Sequence, residues 1–380
     1  MRVRLSKVLL TLAGLALAGA AGIAVTGMSG WYNPAALDPH PSWVSRFIEM
    51  ALREGVQHYA RDVEPPPLGD ESLANRAAGH FANRCEGCHG APGIPRDQQG
   101  QAMYPVPPDL AIAVPDWTPG ELYWVLENGI KLSGMPAWGP THRGDELWAL
   151  VAFILRLPDM SADEYRRVTD AAPGPSPGPS PGRGADIVRA GVPSLGLTAC
   201  ARCHGLDGTG LPEGGIPRLA GLDADYVAHA LDSYASGFRR SGIMGPIASA
   251  LTLEGRRAVA EYYAGIDGAP FPPPPVVAEE LLERGARLAA EGAPDRRIPA
   301  CASCHGGFRL PPVDGIPDIA GQFADYMELQ FHLWRTGQRG AAPHAGIMQR
   351  LALLLDEREI EAVSAFYAGL RGETGRPARE

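Results

Sequence analysis

Cys85-Glu86-Gly87-Cys88-His89 is the first of three pentapeptides with one pattern, which together use all six cysteines of this 380-residue chain. The pattern, Cys-X-X-Cys-His, is the attachment signature of c-type haem. Two thiols one helical turn apart can form thioethers with the two vinyl groups of one porphyrin, and the adjoining histidine then lies beneath the iron as its proximal ligand. The sequence therefore predicts three haems c, attached through Cys85, Cys88, Cys200, Cys203, Cys301 and Cys304 and ligated by His89, His204 and His305.

Three other uses of a cysteine pair compete with this interpretation. Structural zinc needs four ligands, usually two Cys-X-X-Cys pairs or one pair with spaced histidines, and each pair here would have to borrow ligands from a distant part of the chain. A thioredoxin-like redox pair requires βαβ surroundings, whereas Gly- and Pro-rich loops and helices surround these motifs. Disulfides between neighbouring motifs are the third alternative, which composition alone leaves open.

The N-terminus has the pattern of an export signal. Arg2, Arg4 and Lys7 precede an uncharged apolar run over residues 8–28, and Trp31 follows where an interfacial aromatic belt would lie. The run exceeds the roughly 7–15 apolar residues of a signal peptide and is long enough to span a bilayer. We expect an inner-membrane anchor with the remainder in the periplasm. Cleavage at residues 18–20 (Ala-Gly-Ala), which would give a soluble periplasmic protein, is the alternative.

Proline-rich stretches divide the exported part of the chain. Residues 173–182 contain only Pro, Gly and Ser and predict a semi-extended linker that lets the first domain swing, and residues 271–275 predict a short, stiff spacer. The predicted units are a signal anchor (1–30), a juxtamembrane segment (31–70), domain 1 (71–172), a linker (173–184), domain 2 (185–270), a proline spacer (271–277) and domain 3 (278–372).

Domains 2 and 3 are internal repeats. Residues 215–221 (GIPRLAG) return as residues 315–321 (GIPDIAG), and residues 263–265 (YAG) return as residues 367–369. The common order and the nearly constant offset indicate duplication. Domain 1 follows the same plan with different residues.

Helix-like spacing of apolar residues predicts an all-α fold. A helix is expected before each motif, over residues 71–84, 184–191 and 278–291, and another closes each domain, over residues 145–157, 252–264 and 356–368. Thr118-Pro119 and Thr252 carry helix-start signals. No sustained alternation of apolar and polar residues requires a sheet.

The second axial ligand decides whether a haem iron only exchanges electrons or also binds small molecules. Each domain has one methionine near Gly or Pro, at a similar distance after its histidine and in a predicted loop before the closing helix: Met135, Met244 and Met348. One methionine alone is more often core filler, but three in register predict distal ligands. Met103 competes in domain 1 and His344 in domain 3, whereas His142, His229 and His332 are expected at the surface or on helices.

Prolines follow the three motifs after a short loop. A proximal histidine normally donates its second ring N–H to a carbonyl, which fixes its tautomer and tunes the iron. The carbonyls of Pro108, Pro217 and Pro317 are the candidates for this role.

These residues resemble class I cytochromes c, in which a helix leads into Cys-X-X-Cys-His and a methionine loop precedes a C-terminal helix. Domains 2 and 3 are similar to the dihaem cytochrome c4 group in residues 200–205 (CARCHG), residues 301–306 (CASCHG) and the repeated GIP loops. Domain 1 resembles single-domain cytochromes with a Gly-Met-Pro-Ala loop, here residues 134–137. The resemblance implies three tandem class I cytochrome c domains after the N-terminal helix. The loop after His305 departs from its counterpart, which leaves Met348 or His344 open as the third distal ligand.

The function predicted from these sites is electron transfer. We expect a membrane-tethered periplasmic trihaem carrier between respiratory components, with redox proteins as partners and no small-molecule substrate. A cytochrome subunit of a periplasmic dehydrogenase is the alternative, and a haem peroxidase would need one iron without a distal ligand. A formal charge of −9 and a pI near 5.6 argue against a nucleic-acid partner.

Overall fold

The structure is a computed structural model that describes residues 5–31, 33–35, 38–169, 183–192, 199–211, 215–273, 275–308, 311–340 and 345–370. Within these ranges the chain forms helices joined by loops, and strand-like pairing is limited to isolated bridges. The all-α fold class is confirmed.

Two long helices precede the first haem motif region, α1 (Leu5–Met28) and α2 (Ser42–Ala60). Domain 1 then contains α3 (Glu71–Arg84), α4 (Glu86–His89), α5 (Gln98–Ala102), α6 (Leu110–Ala113), α7 (Pro119–Asn128), α8 (Gly144–Arg156) and α9 (Ala162–Thr169). Domain 2 contains α10 (Arg183–Ala190), α11 (Ala201–His204), α12 (Ala224–Ala235), α13 (Met244–Ala250) and α14 (Leu253–Ala264). Domain 3 contains α15 (Glu279–Glu291), α16 (Ala302–His305), α17 (Ala324–Arg335), α18 (Ala345–Leu354) and α19 (Glu357–Gly369). Short 3₁₀ turns lie at Val114–Asp116, Leu157–Asp159 and Pro294–Arg296.

The six helices predicted before the motifs and at the ends of the domains are confirmed to within one residue at each end. Their starts follow from local chemistry. Thr118 Oγ1 accepts a hydrogen bond from Glu121 N, and Glu121 Oε2 accepts one from Thr118 N, which closes a capping box at α7. Thr252 Oγ1 accepts from Gly255 N (3.1 Å) at the start of α14.

Each domain has its own apolar core between the helix before its motif and its closing helix. In domain 1, α3 packs against α8, and both Phe81 and Phe153 are fully buried. In domains 2 and 3 the pairs are α10 with α14 and α15 with α19, which bury Tyr263 and Tyr367. Burial of apolar surface is the main favourable term in folding. The core of each domain therefore stabilises the helices on either side of its own motif.

In domain 2 and in domain 3, a glycine lets the helix before the motif and the closing helix approach until their backbones touch. A Cβ at Gly184 would lie 2.8 Å from the Ala258 carbonyl carbon, and one at Gly285 would lie 2.7 Å from that of Ala362. Gly184 and Gly285 precede the first cysteine of their motifs by the same number of residues. The repeat therefore preserves the helix crossing as well as the motif.

Domains 2 and 3 meet through matched residues of the repeat. Arg239 donates to the Tyr326 hydroxyl (2.7 Å), and Arg339 reciprocates by donating to the Tyr226 hydroxyl (3.2 Å). Both guanidiniums also donate to Gln330 Oε1, at 2.9 and 2.7 Å. The interface therefore has the character of a pseudo-twofold contact.

Domain 1 is docked against domain 2, which corrects the expectation that it swings on its linker. Arg202 Nη1 donates to Asn83 Oδ1 (2.6 Å), and Arg143 Nη1 donates to the Arg240 carbonyl (2.6 Å). The composition of a linker sets only its reach, whereas side-chain contacts decide whether the domains dock. Residues 173–182 of the predicted linker lie outside the described residues, whereas Arg183 and Gly184, which were predicted to belong to it, begin α10.

Candidate haem sites

The two cysteines and the histidine of each motif share one helical turn. Helices α4, α11 and α16 each end at the motif histidine, and the next residue is a glycine with positive φ: Gly90 (70°), Gly205 (76°) and Gly306 (76°). This conformation is disfavoured for a residue with a side chain. The glycine therefore ends the turn directly after the histidine. None of the six cysteines forms a disulfide.

The three motif histidines have the same second partner. The Nδ1 atoms of His89, His204 and His305 lie 2.9, 3.1 and 3.0 Å from the carbonyl oxygens of Pro108, Pro217 and Pro317, respectively. A carbonyl only accepts, so Nδ1 carries the hydrogen and Nε2 keeps its lone pair for a metal. Burial lowers the pKa of all three histidines, which favours this neutral form.

Two buried tyrosines on the closing helices anchor the motif turns. Tyr263 OH donates to the Gly205 carbonyl (3.1 Å), and Tyr367 OH donates to the Gly306 carbonyl (3.2 Å). Both tyrosines belong to the Tyr-Ala-Gly repeat, from which no role for them was predicted. Their recurrence in the Tyr-Ala-Gly repeat, at a similar distance after each motif, is the signal that could have indicated the contact.

The three candidate distal methionines are half-buried but differ in their local structure. Met135 lies in the loop between α7 and α8, where its N donates to Ser133 Oγ (3.1 Å). Met244 is the first residue of α13, and Met348 lies within α18, so the loop placement predicted for these two is wrong. Met135 and Met244 pack against the cores of their domains. The competitor His344 lies outside the described residues.

The other competitor, Met103, lies against the Met135 loop. A Cβ at Gly134 would overlap the Met103 methyl group. Met103 therefore packs beside the residue that precedes Met135.

Several buried N–H groups have no hydrogen-bond acceptor in the protein, and they show whether haem would fit these sites. Among the described residues, Arg76 Nε, Trp138 Nε1, Arg239 Nε and Trp334 Nε1 are buried N–H groups with no hydrogen-bond partner. Buried donors are nearly always paired in native proteins. Haem propionates are acceptors that could pair such donors, so these four side chains fit the group that the motifs predict.

A pair of neighbouring arginines, Arg239 and Arg339, supports the same fit. Arg239 is only 7% exposed, and within the described part of the chain neither it nor Arg339 forms an ion pair with a carboxylate. Burial and the adjacent Arg239 charge lower the pKa of Arg339. Two neighbouring cations, of which Arg239 is buried and Arg339 is half-buried, are costly unless an anion compensates them. A propionate is an anion of the required kind.

A buried histidine pair lies where domain 1 meets domain 2. His142 is 3% exposed and His80 is 7% exposed, and their Nε2 atoms are 3.1 Å apart. The surface position expected for His142 is therefore wrong, because its partner is distant in sequence and no local pattern indicates it. A Cβ at Gly242 of domain 2 would overlap the His142 ring, so this ring also touches the segment that leads to Met244.

We expect this pair to make domain 1 sensitive to acid. Burial, followed by the neighbouring His142 and Arg84, lowers the pKa of His80 to about 3, below its ordinary value of 6.5. The unfolded chain then binds a proton at His80 that the folded chain does not bind, so stability is complete above about pH 6.5 and is lost as the pH falls toward 3. The loss should approach about 1.4 kcal/mol per pH unit.

Denaturant unfolding of the full-length protein between neutral pH and about pH 5 measures this slope. In a His80→Gln variant, which leaves His142 and Arg84 in place, the slope should be shallower. An unchanged slope would mean that other groups govern the acid response.

With this geometry established, comparison with known proteins identifies the family. A family model described as cytochrome c oxidase, cbb3-type, subunit III matches residues 72–154. The thiosulfate dehydrogenase electron acceptor of Stutzerimonas stutzeri is 38% identical over 196 residues, which cover 51% of this chain and 89% of that protein. This chain is a class I c-type cytochrome. The cytochrome is also 32% identical to cytochrome c4 of Thiocapsa roseopersicina over 173 residues, which cover 45% of this chain and 86% of that protein.

Two solved structures are similar to parts of the cytochrome. Thiosulfate dehydrogenase TsdBA from Marichromatium purpuratum matches with 34% identity and a TM-score of 0.46, over 50% of this chain and 40% of that one. Reduced cytochrome c4 from Pseudomonas stutzeri matches with 28% identity and a TM-score of 0.41, over 45% of this chain and 93% of that one.

Proposed function

We propose that this cytochrome is a membrane-tethered periplasmic carrier with three haems c, which passes single electrons between respiratory components toward a terminal oxidase or reductase. The observation that carries the proposal is the repeated proximal arrangement, in which a motif histidine faces a proline carbonyl at about the same distance in each of three separate cores. Each of the three cores lies beside one motif, which supports a count of three haems.

The residues of each site serve electron transfer rather than substrate chemistry. A bound haem supplies an iron that changes charge by one electron. The two cysteines would hold it covalently, and the Nδ1–H···O=C bond keeps the histidine ring oriented with Nε2 free. Met135, Met244 and Met348 would fill the opposite axial positions, which leaves no coordination site for a small-molecule substrate. We therefore propose an electron-transfer protein and not an enzyme.

A periplasmic dehydrogenase is the electron donor that the comparisons favour. The relative from Stutzerimonas stutzeri and a second from Thiomonas intermedia, 36% identical over 172 residues, are both thiosulfate dehydrogenase electron acceptors. This supports the alternative in which the cytochrome is the haem subunit of such a dehydrogenase. In both versions it receives electrons from another redox protein.

The N-terminal helices support attachment to the inner membrane. Within residues 7–28 of α1, an 18-residue stretch has a mean hydropathy of 2.3, and none of that stretch is buried against the protein. In α2, Val56 and Ala60 are buried, and α2 packs against α7. On the opposite side of α2, Trp43 and Phe47 are 71% and 61% exposed, as expected of a helix that lies on a membrane surface.

An intact-mass measurement combined with a potentiometric titration tests this function. We expect the mass of the polypeptide plus three haems, with residues 1–20 retained, and three low-spin haems that titrate at high potential because methionine ligation raises it. The isolated protein should also be reduced by a thiosulfate dehydrogenase in the presence of thiosulfate.

Two results would contradict the proposal in different ways. A high-spin haem that binds carbon monoxide in the native protein would break the uniform His/Met assignment and favour a peroxidase or another haem enzyme. A mass that lacks the N-terminal residues would show that the signal is cleaved. The protein would then be a soluble periplasmic cytochrome and not a membrane-tethered one.

A further inference from the structure

Domain 1 contacts the haem-attachment motif of domain 2. A Cβ at Gly79 in α3 would lie 3.0 Å from the Cys203 sulfur. Next to it, Arg202 donates to Asn83 Oδ1 (2.6 Å) and to the Thr169 carbonyl (3.1 Å), both in domain 1. The side of the motif that carries the second cysteine is therefore covered by another domain.

Domain 1 also contacts the segment that leads to Met244. Glu146, in the first turn of α8, accepts hydrogen bonds from Ser241 Oγ (2.5 Å) and from Gly242 N (2.8 Å). Ser241 Oγ in turn accepts from Met244 N (3.0 Å). A chain of two hydrogen bonds thus connects a carboxylate of domain 1 to the backbone of the candidate ligand in domain 2.

The Glu146 carboxylate is fixed by its surroundings. It is 3% exposed, it forms an ion pair with Arg143 (3.0 Å), and it accepts the capping hydrogen bond from Arg143 N (3.0 Å). Arg143 also donates to the Arg240 carbonyl (2.6 Å), one residue before Ser241. A buried, fully paired carboxylate has little freedom to move, and hydrogen bonds to a charged acceptor are stronger than those between neutral groups.

We propose that Glu146 is a positioning residue for the distal ligand of the second site, so that the docking of domain 1 holds Met244 in place. This inference rests on the proposed function, because it takes Met244 as the axial ligand. The hydrogen bonds from Ser241 and Gly242 set the path of the backbone immediately before Met244. Loss of the carboxylate removes the charged acceptor of both hydrogen bonds from the segment before Met244.

Glu359 provides a matched control in domain 3. Like Glu146, it is a buried capping-box glutamate in the first turn of a closing helix, and it is paired with an arginine, Arg296. It forms hydrogen bonds only within its own domain among the described residues. Glu359→Gln therefore reproduces the loss of charge and the weakened cap without touching the segment before Met244.

The experiment compares Glu146→Gln and Glu359→Gln in the full-length, haem-loaded protein. The readouts are the red charge-transfer band of a thioether–ferric iron bond and carbon monoxide binding by the reduced protein. In Glu146→Gln the population with Met244 detached should rise about tenfold, the equivalent of one lost hydrogen bond. Ser241→Ala, which alters the same connection from the domain 2 side, should act in the same direction. Glu359→Gln should leave the second site unchanged.

Repeating Glu146→Gln in a Met244→Ala variant shows whether the effect of Glu146→Gln arises at the second haem site. If the proposal is right, Glu146→Gln adds nothing to Met244→Ala. A further loss in that background, or no change in Glu146→Gln alone, would overturn the positioning role. If Met244→Ala itself leaves the band intact, the ligand assignment in the proposed function is wrong, and the role of Glu146 falls with it.

Discussion

Replacement of Gly285 by valine should force apart helices α15 and α19, which cross at this residue, and so destabilise domain 3. The ideal Cβ would lie 2.7 Å from the Ala362 carbonyl carbon and 2.8 Å from Phe366 Cβ, and neither group belongs to a flexible side-chain end. The α15–α19 contact would have to separate, which would expose the core around Ile360 and Tyr367. Overpacking commonly costs about 1–3 kcal/mol and more where backbone must move, so we expect a loss of at least about 3 kcal/mol.

Hydrogen exchange with mass spectrometry measures this loss in domain 3 alone, because peptides from α15 and α19 report their own opening free energy. Gly346→Ala is the matched control: Gly346 lies in α18 of the same domain and has no atom within 4 Å of an added Cβ. This change should stabilise the helix by a few tenths to about 1 kcal/mol. Equal exchange in Gly285→Val and wild type would show that the crossing adjusts without cost.

Met135→Ala should lower the reduction potential of one haem by a few tenths of a volt, within the range of about 0.8 V over which axial ligands tune haem iron. Methionine ligation raises the potential, and its loss leaves the iron with an open position or a weaker ligand. Potentiometric titration of the full-length variant should show one component displaced and two unchanged. The displaced haem should also bind carbon monoxide.

Met103→Ala separates the two thioethers of domain 1. Because Met103 packs against Gly134, its truncation should loosen the Met135 loop but leave the iron–thioether bond in place. We therefore expect a small shift in potential without carbon monoxide binding. The reverse result, with a large shift in Met103→Ala and none in Met135→Ala, would make Met103 the ligand.

The helices at both ends of each domain were predictable because their signals are local. Helix α3 follows from the spacing of apolar residues that leads into Cys85. Helix α19 begins after Asp356, and aspartate is a common N-cap residue. The proline carbonyls were predictable because histidine requires an acceptor and a proline recurs after each motif. Repetition supplied what a single sequence otherwise lacks, namely several instances of one pattern.

The contacts between domains were not predictable from such signals. The hydrogen bond between Glu146 and Ser241 joins two domains that share no local sequence pattern. The pairing of His142 with His80 lies within domain 1, but it too joins residues far apart in sequence. Helices α12 and α17 were also missed, although the N-cap Asp223 is a local start signal for α12. Met244 and Met348 were assigned to loops because nearby Gly and Pro suggested a break in the helix.

The neighbouring guanidiniums of Arg239 and Arg339 have a consequence for biogenesis. In a nascent chain that has not yet acquired its cofactors, these two cations would meet across the contact between domains 2 and 3, where the described residues offer them tyrosine and glutamine oxygens but no carboxylate. Their repulsion would oppose the contact until anions arrive. We therefore expect maturation to proceed in a fixed order, in which each domain is loaded while it is still separate and the two halves join afterwards.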